Sequence, residues 1–423
     1  MRGTLLITLL LLLPALAGCI GASEDDPTAP TNASLTPPRA LSSVVAQAHD
    51  HAGTEEHTFS WNLDPVGFQS GYEDGEIAGG FTELAVHLPY VYLCRGGSEP
   101  GVVVVDVSEP ETPRFVSHFA MPRCDDIETS QDGAWVFASA QRNRAQEAAR
   151  DSDGPASLPR GTWVLDASDP RQLVFESFYP MPYNGPHTIS TYRYEDGREV
   201  VFHMLYDLYA RLEPTGQAPV PAPDGSVPVS QRIEVTELTQ GPEGTTRLEQ
   251  VAVYQDLEQA TMRPEATIIP HDAIVHEHPE TGTPYLLVAY WDAGVQVVDV
   301  SDPSDPVLVS EFQDFAPSAL ANIHQVRAFP NLLDGRWIVV AEPEIVTAEE
   351  SGQLTFIDAT DPTQLVKLGH WTLPGEVTIP EPFLFSPHNF DLDEAGRIYL
   401  AHQHAGLWVI SVHGTGTPSE PAT

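Results

Sequence analysis

Basic residues are scarce in this sequence, in which 20 lysines and arginines stand against 60 aspartates and glutamates in 423 residues. The formal net charge of −40 repels phosphate groups, so we exclude nucleic acid as a partner. Lysine is almost absent, since Lys367 is the single lysine of the chain. An acidic, lysine-poor surface suits a saline habitat, and it equally suits an acidic secreted protein from a GC-rich genome.

Several other features are also missing. No apolar run beyond the N-terminus is long enough for a transmembrane helix, and no P-loop, dinucleotide fingerprint or Gly-x-Ser-x-Gly elbow occurs in a suitable context. Global disorder is excluded because 41% of the residues are hydrophobic. The 39 prolines and 31 glycines, with few long helical patterns, predict many short strands and turns.

The first 19 residues have the composition of an export signal. Arg2 supplies a positive charge, and residues 5–13 form an apolar run that Thr8 alone interrupts. Leu16-Ala17-Gly18-Cys19 resembles the lipobox of secreted lipoproteins, which implies a lipid on Cys19 and anchoring to the outer side of the cytoplasmic membrane. An ordinary secretory signal with a chance cysteine is the alternative.

Two segments outside the body of the chain have linker composition. Residues 20–56 are rich in alanine, proline, threonine, serine and acidic residues, and they predict a disordered tether. Residues 414–423 predict a disordered tail. Cys94 and Cys124 could pair in an oxidising compartment, and the sequence leaves open whether they do.

The body of the chain repeats a motif of one glycine, an apolar run and an Asp-x-Ser-x-Pro turn. Close copies occupy residues 101–110, 161–170 and 294–303, and a longer variant occupies residues 352–362. A degenerate copy near residue 237 and a truncated one near residue 411 bring the number of repeats to six. Repeats of this length are too long for leucine-rich or ankyrin units and match propeller blades of four strands each.

The motif resembles that of the LVIVD-repeat β-propeller proteins, and the resemblance covers roughly residues 57–413. It implies an all-β fold with the motif on the third strand of each blade, and it implies no particular activity. We predict six blades of four antiparallel strands, or seven if residues 64–80 contain a degenerate unit. Residues 57–63 alternate like a fourth strand, so we predict that they complete the last blade and close the ring.

One position of the repeat is histidine in four of the six copies. The four residues are His187, His271, His324 and His388. Asp125 takes this position in the second repeat, and Thr82 or Glu83 lies nearest to it in the first. The position opens the first strand of each blade, which lines the central channel of a propeller, so we expect these side chains to converge near the axis.

Converging imidazoles predict a transition-metal site for Fe, Cu or Zn, with Asp125 as a candidate fifth group. Two alternatives stay open, in which the histidines bond the backbone of a neighbouring blade or line a metal-free ligand pocket. Other residues near the start of the first strands or the end of the second strands are candidates for orienting the ligands or contacting a bound molecule. They are Arg95, Cys124, Asp272, Tyr290, Glu342 and His402.

The predicted long loops concentrate on the rim that carries the histidines. They comprise residues 64–80, 140–160, 206–228 and 374–387. Long loops on one face of a rigid scaffold usually form a binding site, so we expect a monomeric, extracellular propeller that binds a small ligand, a glycan or a protein there. The alternative is a metal-dependent oxidoreductase or hydrolase acting at the histidines, and the sequence assigns no catalytic residue.

Overall fold

The structure is a computed structural model that describes most of the repeat region. The described residues are 66, 68–71, 80–97, 99–141, 159–181, 185–205, 232–241, 244–256, 268–315, 322–344, 353–372, 387–402 and 406–412. The export signal with Cys19, the tether, the predicted closing strand 57–63, nearly all of the predicted rim loops and the tail lie outside them. Within the described part of the chain, no helix is both long and apolar enough to cross a membrane.

Twenty-three strands make up the regular structure of the described residues. The first three blades contain β1 (Phe81–His87), β2 (Tyr90–Arg95), β3 (Gly101–Asp106), β4 (Arg114–Ala120), β5 (Ile127–Thr129), β6 (Trp135–Ala140), β7 (Gly161–Asp166), β8 (Val174–Pro180), β9 (Pro186–Arg193), β10 (Glu199–Leu205), β11 (Arg232–Gln240) and β12 (Thr246–Tyr254). The last three contain β13 (Asp272–Glu277), β14 (Pro284–Ala289), β15 (Val295–Asp299), β16 (Val307–Phe312), β17 (Ile323–Ala328), β18 (Ile338–Pro343), β19 (Gln353–Asp358), β20 (Val366–Thr372), β21 (Pro387–Leu392), β22 (Arg397–His402) and β23 (Gly406–Ser411).

The strands form six antiparallel meanders that follow the order of the chain. Five sheets have four strands, and the last has three among the described residues, β21, β22 and β23. The first strands of successive blades, β1, β5, β9, β13, β17 and β21, contact one another in that order. This arrangement confirms the prediction of an all-β propeller with six blades, and it places the first strands around the axis.

The apolar runs of the third strands are explained by burial on both faces. In β3, Val102, Val103 and Val104 are fully buried because neighbouring sheets cover each side of the blade. Separate apolar clusters fill the spaces between adjacent blades. One of them packs Phe202 of the third blade against Leu286 and Val288 of the fourth. The core of the molecule is therefore a series of layers between blades.

The glycine and the aspartate of the motif each have a local task. A Cβ atom on Gly101 would collide with the carbonyl oxygen of Phe119 in the neighbouring strand, so only glycine permits this close approach. At the other end of the strand, Asp106 Oδ1 accepts a hydrogen bond of 2.8 Å from the backbone N–H of Ser108. The same turn recurs at Asp299, whose Oδ1 is 2.8 Å from the N–H of Ser301.

Neighbouring blades are also joined by specific bonds. A disulfide joins Cys94 of β2 to Cys124, which precedes β5, and the two Cα atoms are 5.2 Å apart. Thr188 Oγ1 of the third blade donates to the carbonyl oxygen of His271 in the fourth at 2.6 Å. Asp126 Oδ2 of the second blade accepts from the N–H of Ile189 in the third at 2.6 Å. These bonds fix the register of one first strand against the next.

Candidate metal centre

The four histidines of the repeated position lie side by side in one row. The ring centroids of His187 and His271 are 4.7 Å apart, and those of His271 and His324 are 4.4 Å apart. The ring of His388 continues the row, with its centroid 4.5 Å from that of His324. Because each histidine opens the first strand of a successive blade, contact between those strands brings the four rings together.

The two inner histidines of the row are buried and the two outer ones are half-buried, and this environment keeps the imidazoles neutral at neutral pH. His271 and His324 are 5% and 7% exposed. Burial, and next the neighbouring rings, lowers the pKa of His187 to about 3 and that of His388 to about 4. Burial also lowers the pKa of His271 and of His324. Neutral imidazole is the form that binds transition metals.

Hydrogen bonds orient three of these rings. His271 Nδ1 is 3.1 Å from the carbonyl oxygen of His324, and the backbone of His388 accepts a hydrogen bond from His324 in turn. His187 Nδ1 lies 2.9 Å from Gln141 Oε1. A ring that donates through Nδ1 carries its lone pair on Nε2. Two histidines thus bond the backbone of the next blade, as the structural alternative expects, and in His271 this role leaves Nε2 as an acceptor.

Two of the histidines form a group with a carboxylate. Among the described residues, one ligand atom each of His271, His324 and Glu344 lie within 4.8 Å of one another. His271 Nε2 is 4.0 Å from Glu344 Oε2. Ligands about 2.0–2.2 Å from one ion lie roughly 3 to 4 Å apart, so small side-chain adjustments bring this group to one ion.

Sequence reasoning missed Glu344, which directly follows β18. The available signal was the Glu-Pro-Glu run at residues 342–344, whose second acidic residue also lies at the rim end of a second strand. The repeat alignment gave no reason to prefer it, because the loop sequences beyond the second strands have no common pattern.

Glu342 lies behind this group and is fully buried. Its Oε1 is 3.3 Å from His324 Nδ1, and its Oε2 has no hydrogen-bond partner among the described residues. Burial raises the pKa of Glu342 well above its usual range. An unpartnered buried carboxyl oxygen is costly, so the position favours a proton or a nearby cation. Its predicted orienting role stays a prediction.

Asp125 reaches the row through an intermediate residue. It forms an ion pair with Arg123 at 2.6 Å, and its Oδ2 accepts from the N–H of Gln141 at 2.7 Å. Gln141 then contacts His187 through its side chain. The structure therefore gives Asp125 an indirect connection to the row, through Gln141, which sequence reasoning did not identify.

Two predicted supporting residues are engaged elsewhere in the described structure. Arg95 is buried, with Nη2 3.1 Å from Glu99 Oε2 and 3.0 Å from His118 Nδ1. The Tyr290 hydroxyl accepts a hydrogen bond of 3.2 Å from the N–H of Asp256 in the third blade. Neither of these contacts involves the histidine row.

The remaining predicted residues are Asp272, His402 and Cys124. Asp272 follows His271 in the chain and forms a 2.8 Å ion pair with Arg327 of the fifth blade. His402 is buried at the end of β22, opposite Pro387 of β21. Cys124 forms the disulfide and offers no free thiol as a ligand.

Carboxyl groups on several first strands, together called the carboxyl belt, interact electrostatically with the guanidinium of Arg327 on β17, and sequence reasoning missed this arrangement. The charge of Arg327 interacts with the charges of Asp272, Asp391 and Glu128. Burial raises the pKa of Glu128 to about 8 and that of Asp391 to about 6. Glu83 also interacts with Arg327 and with His324, so the belt lies within electrostatic range of the row.

Comparison with known families gives one match. The model of the LVIVD repeat matches residues 284–314, which span β14, β15 and β16 of the fourth blade. No curated protein matches the chain significantly.

Three solved structures resemble this chain at low sequence identity. A functionally unknown protein from Desulfotomaculum acetoxidans DSM 771 is 12% identical, with 79% of this chain and 89% of that chain covered and a TM-score of 0.42. Hydrazine synthase from Kuenenia stuttgartiensis is 14% identical, with coverage of 79% and 77% and a TM-score of 0.43. A hypothetical selenium-binding protein from Sulfolobus tokodaii is 12% identical, with coverage of 77% and 80% and a TM-score of 0.36.

Proposed function

We propose that this LVIVD-repeat β-propeller binds a transition-metal ion in its axial histidine row and binds a ligand or partner on the surrounding loop-rich face. The observation that carries the proposal is the group formed by His271, His324 and Glu344, whose ligand atoms lie within 4.8 Å of one another. Imidazole and carboxylate donors in this combination suit Fe, Cu or Zn better than Mg or Ca.

The backbone hydrogen bond of His271 does not compete with a metal. Histidines that bind metals usually donate their other ring N–H to a carbonyl or a carboxylate, which fixes the tautomer and the ring orientation. The contacts of His271 Nδ1 with a carbonyl oxygen and of His324 Nδ1 with Glu342 have this form. In His271, the structural role and the metal-binding role therefore use different nitrogens of the same ring.

A metal-dependent oxidoreductase or hydrolase is the second candidate function. Two histidines and one carboxylate are the donor set of non-haem iron(II) oxygenases, in which the remaining positions around the metal are open to reactants. His271, His324 and Glu344 provide such a set. Two histidines and one glutamate also hold the Zn²⁺ of hydrolases such as thermolysin, so the donors suit redox and hydrolytic chemistry alike. Fold alone does not decide between binding and catalysis.

The proposed location is outside the cell, with a lipid on Cys19. The composition of residues 1–19 supports export, and the disulfide between Cys94 and Cys124 is a bond that persists in oxidising compartments. Cys19→Ser is expected to move the protein from the membrane fraction to the medium or the periplasm. Retention of this variant on the membrane would contradict the lipid anchor.

The metal proposal is tested by elemental mass spectrometry on the full chain, purified without a histidine tag. We expect about one equivalent of Fe, Cu or Zn per chain. The double variant His271→Ala/His388→Ala should lose it, whereas His370→Ala, which removes an exposed histidine of β20, should retain it. A protein that binds no metal even after reconstitution would overturn the proposal.

A further inference from the structure

We infer that the turn between β14 and β15, residues 290–294, is the positioning element of the proposed metal site, with Trp291 and Asp292 as its positioning residues. The inference rests on the proposed metal site and adds the element that sets the relative positions of its three ligands. It combines the strained backbone of the turn, a ring contact with one ligand, and hydrogen bonds that lead to the other two.

Trp291 has a backbone conformation that its residue type rarely adopts. A 2.9 Å hydrogen bond from the N–H of Ala293 to the carbonyl oxygen of Tyr290 closes the turn, so Trp291 holds the first of the two central positions. Its φ is 45°, and a positive φ at this position of a hairpin turn is typical of glycine. Such strain persists where surrounding contacts impose it, and strained residues cluster at functional sites.

The indole ring of Trp291 lies against the imidazole ring of His271. The ring centroids are 4.9 Å apart with an interplanar angle of 33°, and both residues are buried. The indole also packs on Ile269, which lies two residues before His271. Glycine at position 291 would relieve the backbone but would remove this support from the histidine. The ring contact therefore explains a tryptophan at a position that favours glycine.

The backbone of the turn reaches His324 through the residue before it. The carbonyl oxygen of Trp291 accepts a hydrogen bond of 3.1 Å from the N–H of Ile323, and the two residues form an antiparallel bridge. Ile323 opens β17 and directly precedes His324. The turn of the fourth blade thus fixes the start of the first strand of the fifth blade, where the second histidine lies.

Asp292 extends the same connection to Glu344. Its Oδ1 accepts a hydrogen bond of 3.2 Å from the N–H of Asn322, whose carbonyl oxygen accepts one of 3.2 Å from the N–H of Glu344. Asn322 also has a positive φ, of 36°. All three proposed ligands are therefore connected to one short turn, which sets their relative positions across the boundary between the fourth and fifth blades.

A cobalt(II) titration of the full chain tests the positioning role, because the visible absorption bands of cobalt report the number and geometry of its ligands. Trp291→Ala and Asp292→Ala should each lower the cobalt affinity about tenfold or more and change the bands. Trp291→Phe keeps an aromatic ring, and Asp292→Asn keeps the acceptor oxygen, so both should bind cobalt nearly like the unchanged protein. Circular dichroism and denaturant unfolding establish that each variant is folded.

Asp334→Ala is the matched control. Among the described residues, Asp334 is the third residue other than glycine with a positive φ, and its φ is 50°. It lies between β17 and β18, at the opposite ends of these strands from His324 and Glu344. This variant changes a left-handed turn position away from the ligands, so it should alter stability and leave the cobalt affinity and bands unchanged.

Tryptophan fluorescence provides a second measurement that depends on no alanine variant. Cobalt(II) quenches indole emission at short range, so loading should reduce the emission of the unchanged protein. Trp291→Phe should remove most of this reduction while cobalt still binds. Quenching that persists undiminished in Trp291→Phe would locate the ion away from the turn and contradict the inference.

The remaining failures are distinguishable. An unchanged protein that binds neither cobalt nor another transition metal contradicts the proposed function and the positioning role together. Bound cobalt with the same affinity and bands in Trp291→Ala, Asp292→Ala and the unchanged protein contradicts the positioning role alone. An equal loss of affinity in Asp334→Ala also contradicts it, because the effect would then follow from general destabilisation.

Discussion

At the scale of single residues, the structure contains two kinds of buried histidine. His203 of β10 lies between two hydroxyl groups, with Nδ1 3.1 Å from Thr162 Oγ1 and Nε2 2.8 Å from Thr236 Oγ1. Both of its nitrogens are thereby occupied by neighbours in the core. The histidines of the row contact one another, a backbone carbonyl and carboxylates, and this difference marks the row as the candidate site.

His203 should make the protein less stable in mild acid. Burial lowers its pKa to about 3, so between pH 6.5 and 3 the unfolded chain binds a proton that the folded protein refuses. Stability from this residue is full above pH 6.5 and falls as the pH decreases. We expect His203→Gln to reduce the loss of unfolding free energy between pH 7 and pH 5 by about 2 kcal/mol.

The measurement is denaturant unfolding of the full chain at both pH values. His370→Gln, at an exposed position of β20, is the control for the loss of a histidine as such. An unchanged difference between pH 7 and pH 5 in His203→Gln would show that this residue does not contribute to acid sensitivity.

Arg327 should stabilise the axis by compensating buried carboxylates. We expect Arg327→Met to destabilise the protein by about 3 kcal/mol near pH 8, because Asp272 loses its 2.8 Å partner. The raised pKa values, about 8 for Glu128 and about 6 for Asp391, mean that the folded state gains protons as the pH decreases. The penalty should therefore shrink toward pH 5.

Thermal unfolding at pH 5 and pH 8 checks this expectation. Arg336→Met is the matched control, since Arg336 is 3.5 Å from Asp358 in a more exposed pair that contributes little. Equal penalties for Arg327→Met at the two pH values would contradict the role of the carboxyl belt.

At the scale of structural elements, serines on the fourth strands connect blades to the repeated turns. Ser117 Oγ donates to the carbonyl oxygen of Pro170 at 2.7 Å, and Ser310 Oγ donates to that of Pro362 at 2.5 Å. Ser177 holds the same position in the second blade, but its Oγ has no partner among the described residues. The reason is that the third blade carries the degenerate copy of the motif and lacks the Asp-x-Ser-x-Pro turn.

Substitution of these serines should distinguish the hydroxyl of Ser310, which donates a hydrogen bond to the next blade, from the hydroxyl of Ser177, which has no partner among the described residues. Ser310→Ala is expected to lower the free energy of unfolding by about 1 kcal/mol, because the Pro362 carbonyl loses its donor. Ser177→Ala should be neutral or slightly stabilising, because it removes an unsatisfied hydroxyl. Denaturant unfolding measures both, and equal losses in the two variants would refute the assignment of the connection to the turn.

The elements also show how far repeat alignment predicts a site. The histidine positions followed from the sequence because they lie at or beside the start of strands, where the register is fixed by the apolar core. Glu344 and Gln141 did not, since each directly follows a second strand, where the repeats cease to align. The sequence did not predict the ion pair of Asp272 with Arg327 either, because this pair depends on the packing of β13 against β17.

At the scale of the whole molecule, the last blade is the exception to the four-stranded pattern. The strands β21, β22 and β23 form a three-stranded sheet in the described part of the chain. Leu407 and Val409 of β23 are 48% and 41% exposed, whereas third strands elsewhere, such as β3, are buried. These two side chains lie on one face of β23. The hydrogen-bonding edge of β23 has no neighbouring strand among the described residues, and an unpaired edge favours association between molecules.

Deletion of residues 57–63 should destabilise the full chain if this segment is the missing strand. We expect a decrease of several degrees in the unfolding temperature and a tendency to dimerise, because the edge of β23 is then left uncovered. Calorimetry and size-exclusion chromatography measure the two effects. Deletion of residues 30–36, an equal length of the predicted tether, is the control, and the same behaviour in both deletions would refute closure by 57–63.

The sequence by itself determined the fold of this protein and the place of its most unusual side chains. A repeated motif at a regular spacing predicts equivalent strands, and equivalent strands of a propeller meet at one axis. The sequence therefore predicts that His187, His271, His324 and His388 lie close together. Tertiary structure alone decided which of them share a carboxylate. That choice depends on the path of the chain beyond β18 and on packing between blades, which local propensity does not encode.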